Sequence, residues 1–252
     1  MRAILTYHSI DPSGSAISVH PEAFERHITW LTSGRVTVTS IEDLIGLPPT
    51  ANAVAITFDD AYVNFRDAAA PRLLASGLPV TVFVVSDRVG GTNDWNGQPA
   101  PGIPQLPLLD WASLVHLQEQ GVTLGAHGRS HADLTRLGRA QLEDEILGSR
   151  AALERETGVL PSAFAYPYGR LNPTIAGIVA GAFRVACTTE FQTLDAQATA
   201  VALPRLDMYY LQGEGRIDSW GTASFRRYLS VRRQLRRARQ AVLASGVGRS
   251  AC

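Results

Sequence analysis

Short apolar runs alternate with amphipathic segments along most of the chain. The runs have the length and β-branched content of buried strands, and they cover residues 3–7, 36–38, 53–58, 80–85, 122–126, 163–166, 183–188 and 200–203. Segments with helical spacing lie between them and cover residues 21–33, 64–76, 110–120, 139–156, a stretch from 172 onward, and 222–244. Strands that alternate with helices predict parallel βαβ units, and here they predict a single-domain α/β barrel, complete or incomplete.

Polar side chains come directly after several of the predicted strands. These residues are His8, Asp59, Asp60, His127, Tyr168 and Arg205. In α/β barrels the carboxyl ends of the strands carry the active site, so these residues are expected to meet at one face of the molecule. A loop over 87–107, rich in glycine, proline and asparagine, also carries Trp95, and loops of this length inside a domain are often functional.

Charge and composition give no reason to expect a nucleic-acid partner. The 252 residues include 23 basic and 23 acidic side chains, so the chain has no net charge to attract a polyanion. Every basic residue is arginine, which we attribute to genome composition. Positive charge is concentrated only in the predicted last helix. Seven arginines lie there in one segment: Arg226, Arg227, Arg232, Arg233, Arg236, Arg237 and Arg239. That segment is either a solvated helix face or a weak peripheral contact with anionic lipid or an acidic partner.

Cysteine content and the absence of membrane signals favour the cytoplasm. Cys187 and Cys252 are too few and too far apart to form a disulfide framework, which suits a reducing compartment. The N-terminal residues turn polar too soon for a signal peptide, and no run of about 18 apolar residues exists to span a membrane. We therefore expect a cytoplasmic protein, unless an export segment has been removed.

The paired aspartates and paired histidines predict a metal site. Asp59-Asp60 alone is a common turn or helix-cap sequence, and His127-x-x-x-His131 alone is often coincidental. Two such pairs, each directly after an apolar strand, are much harder to explain by chance. One carboxylate and two imidazoles form a normal ligand set for zinc or a similar divalent ion, with a position left open for water or substrate. The second aspartate is then free to act as a base.

These motifs resemble those of a known family. Thr57-Phe58-Asp59-Asp60 and His127-x-x-x-His131 resemble the first two motifs of the polysaccharide deacetylases (NodB-homology, carbohydrate esterase family 4), and Phe164-Ala165-Tyr166-Pro167-Tyr168-Gly169 resembles the third. The resemblance runs from about Ala3 to about Tyr209. It implies a distorted, incomplete (β/α)7-type barrel and a metal-dependent amide hydrolase that removes the N-acetyl group of an amino sugar.

The resemblance also implies a role for each site residue. Asp60, His127 and His131 would bind one divalent ion, for which we expect zinc, although cobalt, nickel and iron suit the same ligands. Asp59 would be the general base. The backbone N–H of Tyr168 would stabilise the negative charge that develops on the acetyl oxygen.

Two expected groups are missing from their usual places. No histidine follows His131, so the C-terminal Leu-x-His motif that supplies the general acid is absent. Leu5-Thr6-Tyr7-His8 resembles the permuted branch that includes poly-N-acetylglucosamine deacetylases, which implies that His8 is the acid. Ala165 replaces the third-motif arginine that orients the base, and Arg205 is the expected substitute, with Arg170 less suitable. Ala61 and Gly128 are smaller departures, where many members have glycine and serine or threonine respectively.

The sequence thus predicts two regions, a deacetylase domain over 1–221 and an arginine-rich helix and tail over 222–252. The partner is an N-acetylated sugar that is part of a glycan, glycolipid, nucleotide sugar or small glycoside. The alternative is a catalytically degenerate carbohydrate-binding module of the same fold. A serine hydrolase built on Gly128-Arg129-Ser130-His131-Ala132 is disfavoured, because that mechanism needs a histidine later in the chain than the serine, and the only one, His131, is adjacent to Ser130 and cannot fold back onto it.

Other aromatic and imidazole side chains receive no catalytic role. His20, His27 and His116 are interpreted as helix or loop surface residues. Trp95, Tyr62 and Tyr166 either stack on a sugar or pack beside the core.

Overall fold

The predicted barrel is confirmed. In the computed structural model, which describes residues 1–95, 97–98 and 100–244, parallel strands form one curved sheet. In chain order its principal strands are β1 (Arg2–Tyr7), β2 (Ala53–Phe58), β3 (Val80–Val84), β4 (Thr123–Ala126), β5 (Ala163–Ala165), β6 (Val185–Cys187) and β7 (Arg205–Asp207). Their order in the sheet is β7-β1-β2-β3-β4-β5-β6, and the short strand Thr37–Val38 pairs with β2 outside this order. A bridge between Cys187 and Leu203 joins the two edges, so the barrel is nearly closed.

Helices lie between successive strands, most of them where the spacing predicts them. They are α1 (Pro21–Thr32), α2 (Ile41–Gly46), α3 (Ala70–Ala75), α4 (Trp111–Glu119), α5 (Arg139–Glu143), α6 (Ser149–Thr157), α7 (Pro173–Ala182) and α8 (Ala223–Ala244). Wider, π-helical turns at Phe65–Ala69 and Asp144–Gly148 precede α3 and join α5 to α6. Ser40, Asp110 and Asn172 cap their helices by accepting a hydrogen bond from the backbone N–H three residues later.

The barrel strands are buried on both faces, which explains their continuous apolar runs. In β1, Ala3, Leu5 and Tyr7 belong to the main core shared with the helices, whereas Ile4 belongs to a smaller cluster that fills the barrel. Phe83 is part of this inner cluster. A Cβ at Gly125 would lie 2.6 Å from its ring, so only glycine fits there.

The strand predicted over 200–203 is wrong. The last barrel strand is β7, which begins at Arg205, and Leu203 takes part only in the bridge that joins the two edges of the sheet. The apolar run ends at Pro204, before the strand begins, and the strand itself starts with a buried charged residue that the hydrophobic pattern does not include. Arg205 is 1% exposed, and a buried arginine has no place in a hydrophobic pattern unless a partner neutralises it.

The last helix packs on the barrel at its start. Phe225 and Leu229 belong to the main core; Arg226 and Arg227 lie between them, and the other five arginines follow Leu229 along α8. Within the described part of the chain, no helix combines the length and the apolar composition that crossing a bilayer requires. The tail over 245–252, with Cys252, lies outside the described residues. The division at residue 222 and a peripheral membrane contact stay predictions.

His27 is a core residue, and the prediction that it lies on the surface is wrong. It is 1% exposed, with Nδ1 3.1 Å from the Tyr7 hydroxyl and Nε2 3.2 Å from the Leu211 carbonyl. The carbonyl can only accept, so Nε2 donates to it and Nδ1 accepts from Tyr7. The hydrogen bond from Tyr7 needs the neutral ring, because Nδ1 can accept only when it is unprotonated. Burial lowers the pKa of His27 to about 4.

Acid is therefore expected to destabilise the fold through His27. Its pKa is depressed in the folded state, so the stability it contributes is present above about pH 6.5 and is lost as the pH falls toward 4. Between pH 8 and pH 5 this loss amounts to about 2 kcal/mol. Urea unfolding of His27→Gln should show that much less change between the two pH values. His116→Gln, at an exposed histidine, should behave as the parent; equal pH dependence of all three proteins would refute the assignment.

Candidate metal centre and active site

Asp60, His127 and His131 converge at the carboxyl ends of β2 and β4. Asp60 Oδ1 lies 3.5 Å from His127 Nε2 and 3.6 Å from His131 Nε2, and all three atoms lie within 4.8 Å of one another. All three residues are buried, at 5%, 2% and 8% exposure. The predicted ligands are thus brought together, one carboxylate oxygen facing two imidazole nitrogens.

The atoms of this cluster fit a divalent cation. Asp60 Oδ1 is buried and has no hydrogen-bond partner, which is a costly state for a carboxylate oxygen unless a cation is beside it. Burial raises the pKa of the Asp60 carboxyl, so the ionised form needs a positive partner. His127 Nδ1 donates to the Ala165 carbonyl at 2.7 Å, which leaves the Nε2 lone pair for a metal. Burial, and then the neighbouring His127, hold the pKa of His131 well below its ordinary value, which favours the neutral ring that a metal ligand requires.

Backbone strain is concentrated at this site. Among the described residues, the non-glycine positions with positive φ are Asp60 (71°), Ala61 (58°), His131 (63°) and Tyr168 (59°). Such conformations are uncommon for residues with a Cβ, and they cluster where function fixes a side-chain direction. The strain also explains why glycine would suit position 61. At Gly128 a Cβ would lie 3.0 Å from Glu145 Oε2, a tight contact, and the φ of 76° is a conformation that residues with a Cβ rarely adopt.

Asp59 is paired with Arg205 across the barrel. Arg205 Nη1 donates to Asp59 Oδ1 at 2.6 Å and Nη2 donates to Oδ2 at 2.7 Å, with both residues buried. Arg205 Nε also donates to the Thr188 carbonyl at 2.9 Å. Burial alone would raise the pKa of the Asp59 carboxyl, but the Arg205 guanidinium more than offsets this and holds the pKa well below its usual range. Asp59 is therefore a fixed, ionised carboxylate beside the ligand cluster.

His8 and Tyr168 complete the rim of a pocket of about 450 Å³, a volume that suits a small ligand. His8 Nε2 lies 3.8 Å from Asp59 Oδ2, and its side chain is 24% exposed. The Tyr168 ring meets the His131 ring edge-on at 4.6 Å. All the predicted site residues except Arg205 line this pocket, and Arg205 reaches it through Asp59.

The long loop covers the ligand cluster. Trp95 stacks on His131 with ring centroids 4.5 Å apart, so its indole packs against a ligand rather than standing free. Asn93 fixes the loop by binding the Tyr62 hydroxyl, the Pro104 carbonyl and the Leu106 N–H. Tyr62 and Tyr166 are 1% and 0% exposed, so both serve as packing residues of the pocket wall rather than as open stacking platforms.

Sequence reasoning missed Glu145. This residue, in the π-helical turn after α5, holds the loop between the two ligand histidines. Its carboxylate accepts from the backbone N–H groups of Arg129 (2.9 Å) and Ser130 (3.1 Å) and from the Ser130 hydroxyl (2.5 Å). The one feature of the sequence that could have indicated this role is the position of Glu145, an acidic residue beside the buried stripe that Leu142 and Ile146 form on this amphipathic segment.

Removing Glu145 is expected to weaken metal binding. Without the three hydrogen bonds, the loop that orients His131 loses its fixed geometry, and outer supports of this kind typically change metal affinity by about 10–100-fold. Competition against a chelating dye would measure the zinc affinity of Glu145→Ala. Glu143→Ala, two residues earlier and paired with Arg139, is the control. Equal affinities for both variants and the parent would show that Glu145 has no such role.

Comparison with known proteins places this site in a family. A model described as polysaccharide deacetylase matches residues 46–182. YxkH of Bacillus subtilis (strain 168), which carries the provisional name of a polysaccharide deacetylase, is 27% identical over 193 residues, which are 74% of this chain and 64% of that protein. A chitin deacetylase of Pestalotiopsis sp. is 26% identical over 145 residues, covering 57% of this chain and 43% of the relative. The chain spans less than two thirds of the length of both relatives.

A solved structure has a similar fold. The structure of the deacetylase PplD of Streptococcus pyogenes in complex with acetate is similar, with a TM-score of 0.68 and 22% identity over 81% of this chain and 91% of that one. The matched segment 46–182 is more than half of the chain and includes the paired aspartates, both ligand histidines and Tyr168. The chain belongs to the polysaccharide deacetylase family.

Proposed function

We propose that this protein is a metal-dependent hydrolase that removes the N-acetyl group from an amino sugar and releases acetate. The observation that carries the proposal is the juxtaposition, in one pocket, of the Asp60–His127–His131 cluster and the ionised Asp59. The family membership and a relative named chitin deacetylase support the same chemistry. The substrate is an N-acetylated sugar in a glycan, glycolipid, nucleotide sugar or small glycoside.

Asp60, His127 and His131 would hold the divalent ion, for which zinc is the first expectation. When bound, such an ion supplies Lewis-acid chemistry, because it polarises the acetyl carbonyl and makes water more acidic. Asp59 holds the attacking water and takes its proton at a carboxylate oxygen. The lowered pKa keeps the Asp59 carboxyl ionised at neutral pH, so one of its oxygens is available to accept a proton.

The amine departs with help from two further residues. As the water oxygen bonds to the acetyl carbon, the carbonyl oxygen becomes negative, and the Tyr168 N–H would stabilise it. His8 gives a proton to the amide nitrogen, the carbon–nitrogen bond breaks, and acetate and a free amine result. Trp95 and Tyr168 both pack against the His131 ring, and in this way they exclude bulk water from the ligands.

The alternative, a degenerate binding module, rests on the missing third-motif arginine and the missing C-terminal histidine. Arg205 binds Asp59 with both guanidinium nitrogens, and His8 lies 3.8 Å from the same carboxylate. Arg205 could therefore orient the base and His8 could supply the proton, which supports the hydrolase over the binding module. A cytoplasmic location stays a prediction.

Acetate release is the test of this proposal. Protein stripped with a chelator and reloaded with zinc or cobalt would be incubated with N-acetylglucosamine, its short oligomers and UDP-N-acetylglucosamine. We expect equal amounts of acetate and free amine from at least one of them, with no release before reloading. A fully loaded protein that binds these sugars and releases no acetate would instead support the binding module.

A further inference from the structure

A second, polar groove adjoins the catalytic pocket. It has a volume of about 840 Å³ and shares Tyr168 and Thr189 with the pocket, so the two are continuous. Its wall carries guanidinium groups from three separate parts of the chain: Arg136, Arg170, Arg233, Arg236 and Arg237. The last three come from α8, so the arginine-rich helix reaches the neighbourhood of the active site.

The groove has more positive than negative charge. Its lining contains two carboxylates, Asp133 and Glu190, and each is shared between two arginines. Glu190 Oε1 accepts from Arg233 Nε at 2.8 Å and from Arg237 Nη2 at 2.6 Å. Asp133 pairs in the same way with Arg136 and Arg170. Because one carboxylate neutralises only one guanidinium, each cluster keeps a net positive charge.

The remaining arginine is held in place by aromatic rings. Arg236 lies 5.0 Å from the Tyr210 ring centroid and 5.6 Å from that of Phe191. It pairs with Asp207 at 3.1 Å and donates to the Thr189 carbonyl at 3.3 Å, next to the catalytic pocket. Even with Asp207 included, the arginines outnumber the carboxylates. A guanidinium that is already positioned loses less entropy when it binds an anion.

Arg170 links the groove to the ligand cluster. Its guanidinium lies 5.7 Å from the centroid of the Tyr168 ring, and that ring contacts His131. The Thr189 hydroxyl donates to the Tyr168 carbonyl at 3.2 Å, which fixes the wall between the two depressions. A ligand whose sugar occupies the pocket would therefore extend past Tyr168 toward the arginines.

We propose that this groove binds a phosphoryl group carried by the substrate, so that the protein acts on an N-acetylated sugar phosphate or diphosphate. The inference rests on the proposed function for the sugar end of the ligand. One guanidinium group binds a phosphate through two parallel, charge-assisted hydrogen bonds. The groove has more arginines than carboxylates, and this excess positive charge matches a multiply charged anion. A neutral glycan gains nothing from such a wall. The phosphoryl group comes either from a soluble sugar phosphate or from a sugar linked to a lipid diphosphate.

Calorimetric binding tests the groove without turnover when the parent and both variants carry Asp59→Asn, which is expected to keep the metal but not to hydrolyse the ligand. The ligands are N-acetylglucosamine and N-acetylglucosamine 1-phosphate, and the groove variant is Arg233→Gln with Arg237→Gln. Arg227→Gln with Arg239→Gln removes the same charge from exposed positions of α8 that do not line the groove. We expect the parent and the control to bind the phosphate at least about tenfold more tightly than the neutral sugar, and the groove variant to lose most of that preference.

Three results would overturn the proposal. These are equal affinity of the parent for both ligands, an equal loss in both variants, and a groove variant that loses binding to phosphatidylglycerol vesicles while its sugar-phosphate affinity is unchanged. Phosphatidylcholine vesicles with a polyprenyl diphosphate-linked N-acetylglucosamine identify the source, since arginine-dependent binding to these alone indicates a lipid-linked substrate. Absence of acetate release from every sugar would refute the proposed function and leave this binding preference intact.

Discussion

Asp59→Asn is expected to keep its metal and to lose acetate release by about 10²–10⁴-fold, the usual contribution of a general base. The amide cannot take a proton from water. It preserves the shape of the side chain and one oxygen that accepts from Arg205, so the pocket should stay formed. Initial rates of acetate release, with metal content measured on the same samples, give the result.

Asp110→Asn is the matched control for this variant. Asp110 caps α4 by accepting from the Ser113 N–H at 2.8 Å, and asparagine serves equally well as a helix cap. Its activity should equal that of the parent. Asp59→Asn hydrolysis at the rate of the parent would show that the base is another residue.

Arg205→Met is expected to lower the free energy of unfolding by about 3–5 kcal/mol, because it leaves the Asp59 carboxylate buried and unpaired. The guanidinium is 0% exposed and binds both oxygens of Asp59, so no solvent screens the loss. Acetate release should fall as well, since the pKa of Asp59 rises and its orientation is lost. Urea unfolding at pH 7 measures the stability.

The double variant Asp59→Asn with Arg205→Met separates pairing from packing. Removal of both charges should restore part of the stability that Arg205→Met alone loses, although acetate release stays as low as in Asp59→Asn. Arg35→Met, at an exposed pair with Asp218, should cost less than about 1 kcal/mol. A stability loss for Arg205→Met no larger than that for Arg35→Met would contradict the role given to the buried pair.

Periodicity was sufficient for most of the barrel, because strands buried on both faces leave continuous apolar runs. It failed at β7, where Arg205 interrupts the pattern although it is buried. It also failed at His27, which is hidden because Tyr7 and Leu211 satisfy both ring nitrogens. In both places a polar group is buried with partners that lie far away in the sequence, and hydropathy does not encode such partners.

The site residues also fall into two groups, those that the sequence predicts and those whose partners only the fold brings together. Asp60, His127 and His131 were predictable because short motifs follow strand ends, and the barrel brings those ends together. Arg205 is predictable only through the family resemblance, because Ala165 stands where the third motif has an arginine. Glu145 was not predicted, since it contacts backbone N–H groups, and any loop sequence can offer those. The groove beside Tyr168 required knowing where α8 packs.

Metal content tests the central claim most directly. The parent, His127→Ala and His131→Ala would be purified without a chelating column, equilibrated with micromolar zinc, dialysed and analysed for elements, with His116→Ala as an exposed-histidine control. The account predicts one divalent ion per chain in the parent and the control, and a large loss in both ligand variants. No bound ion in the parent, or an ion retained equally by all four proteins, would contradict it.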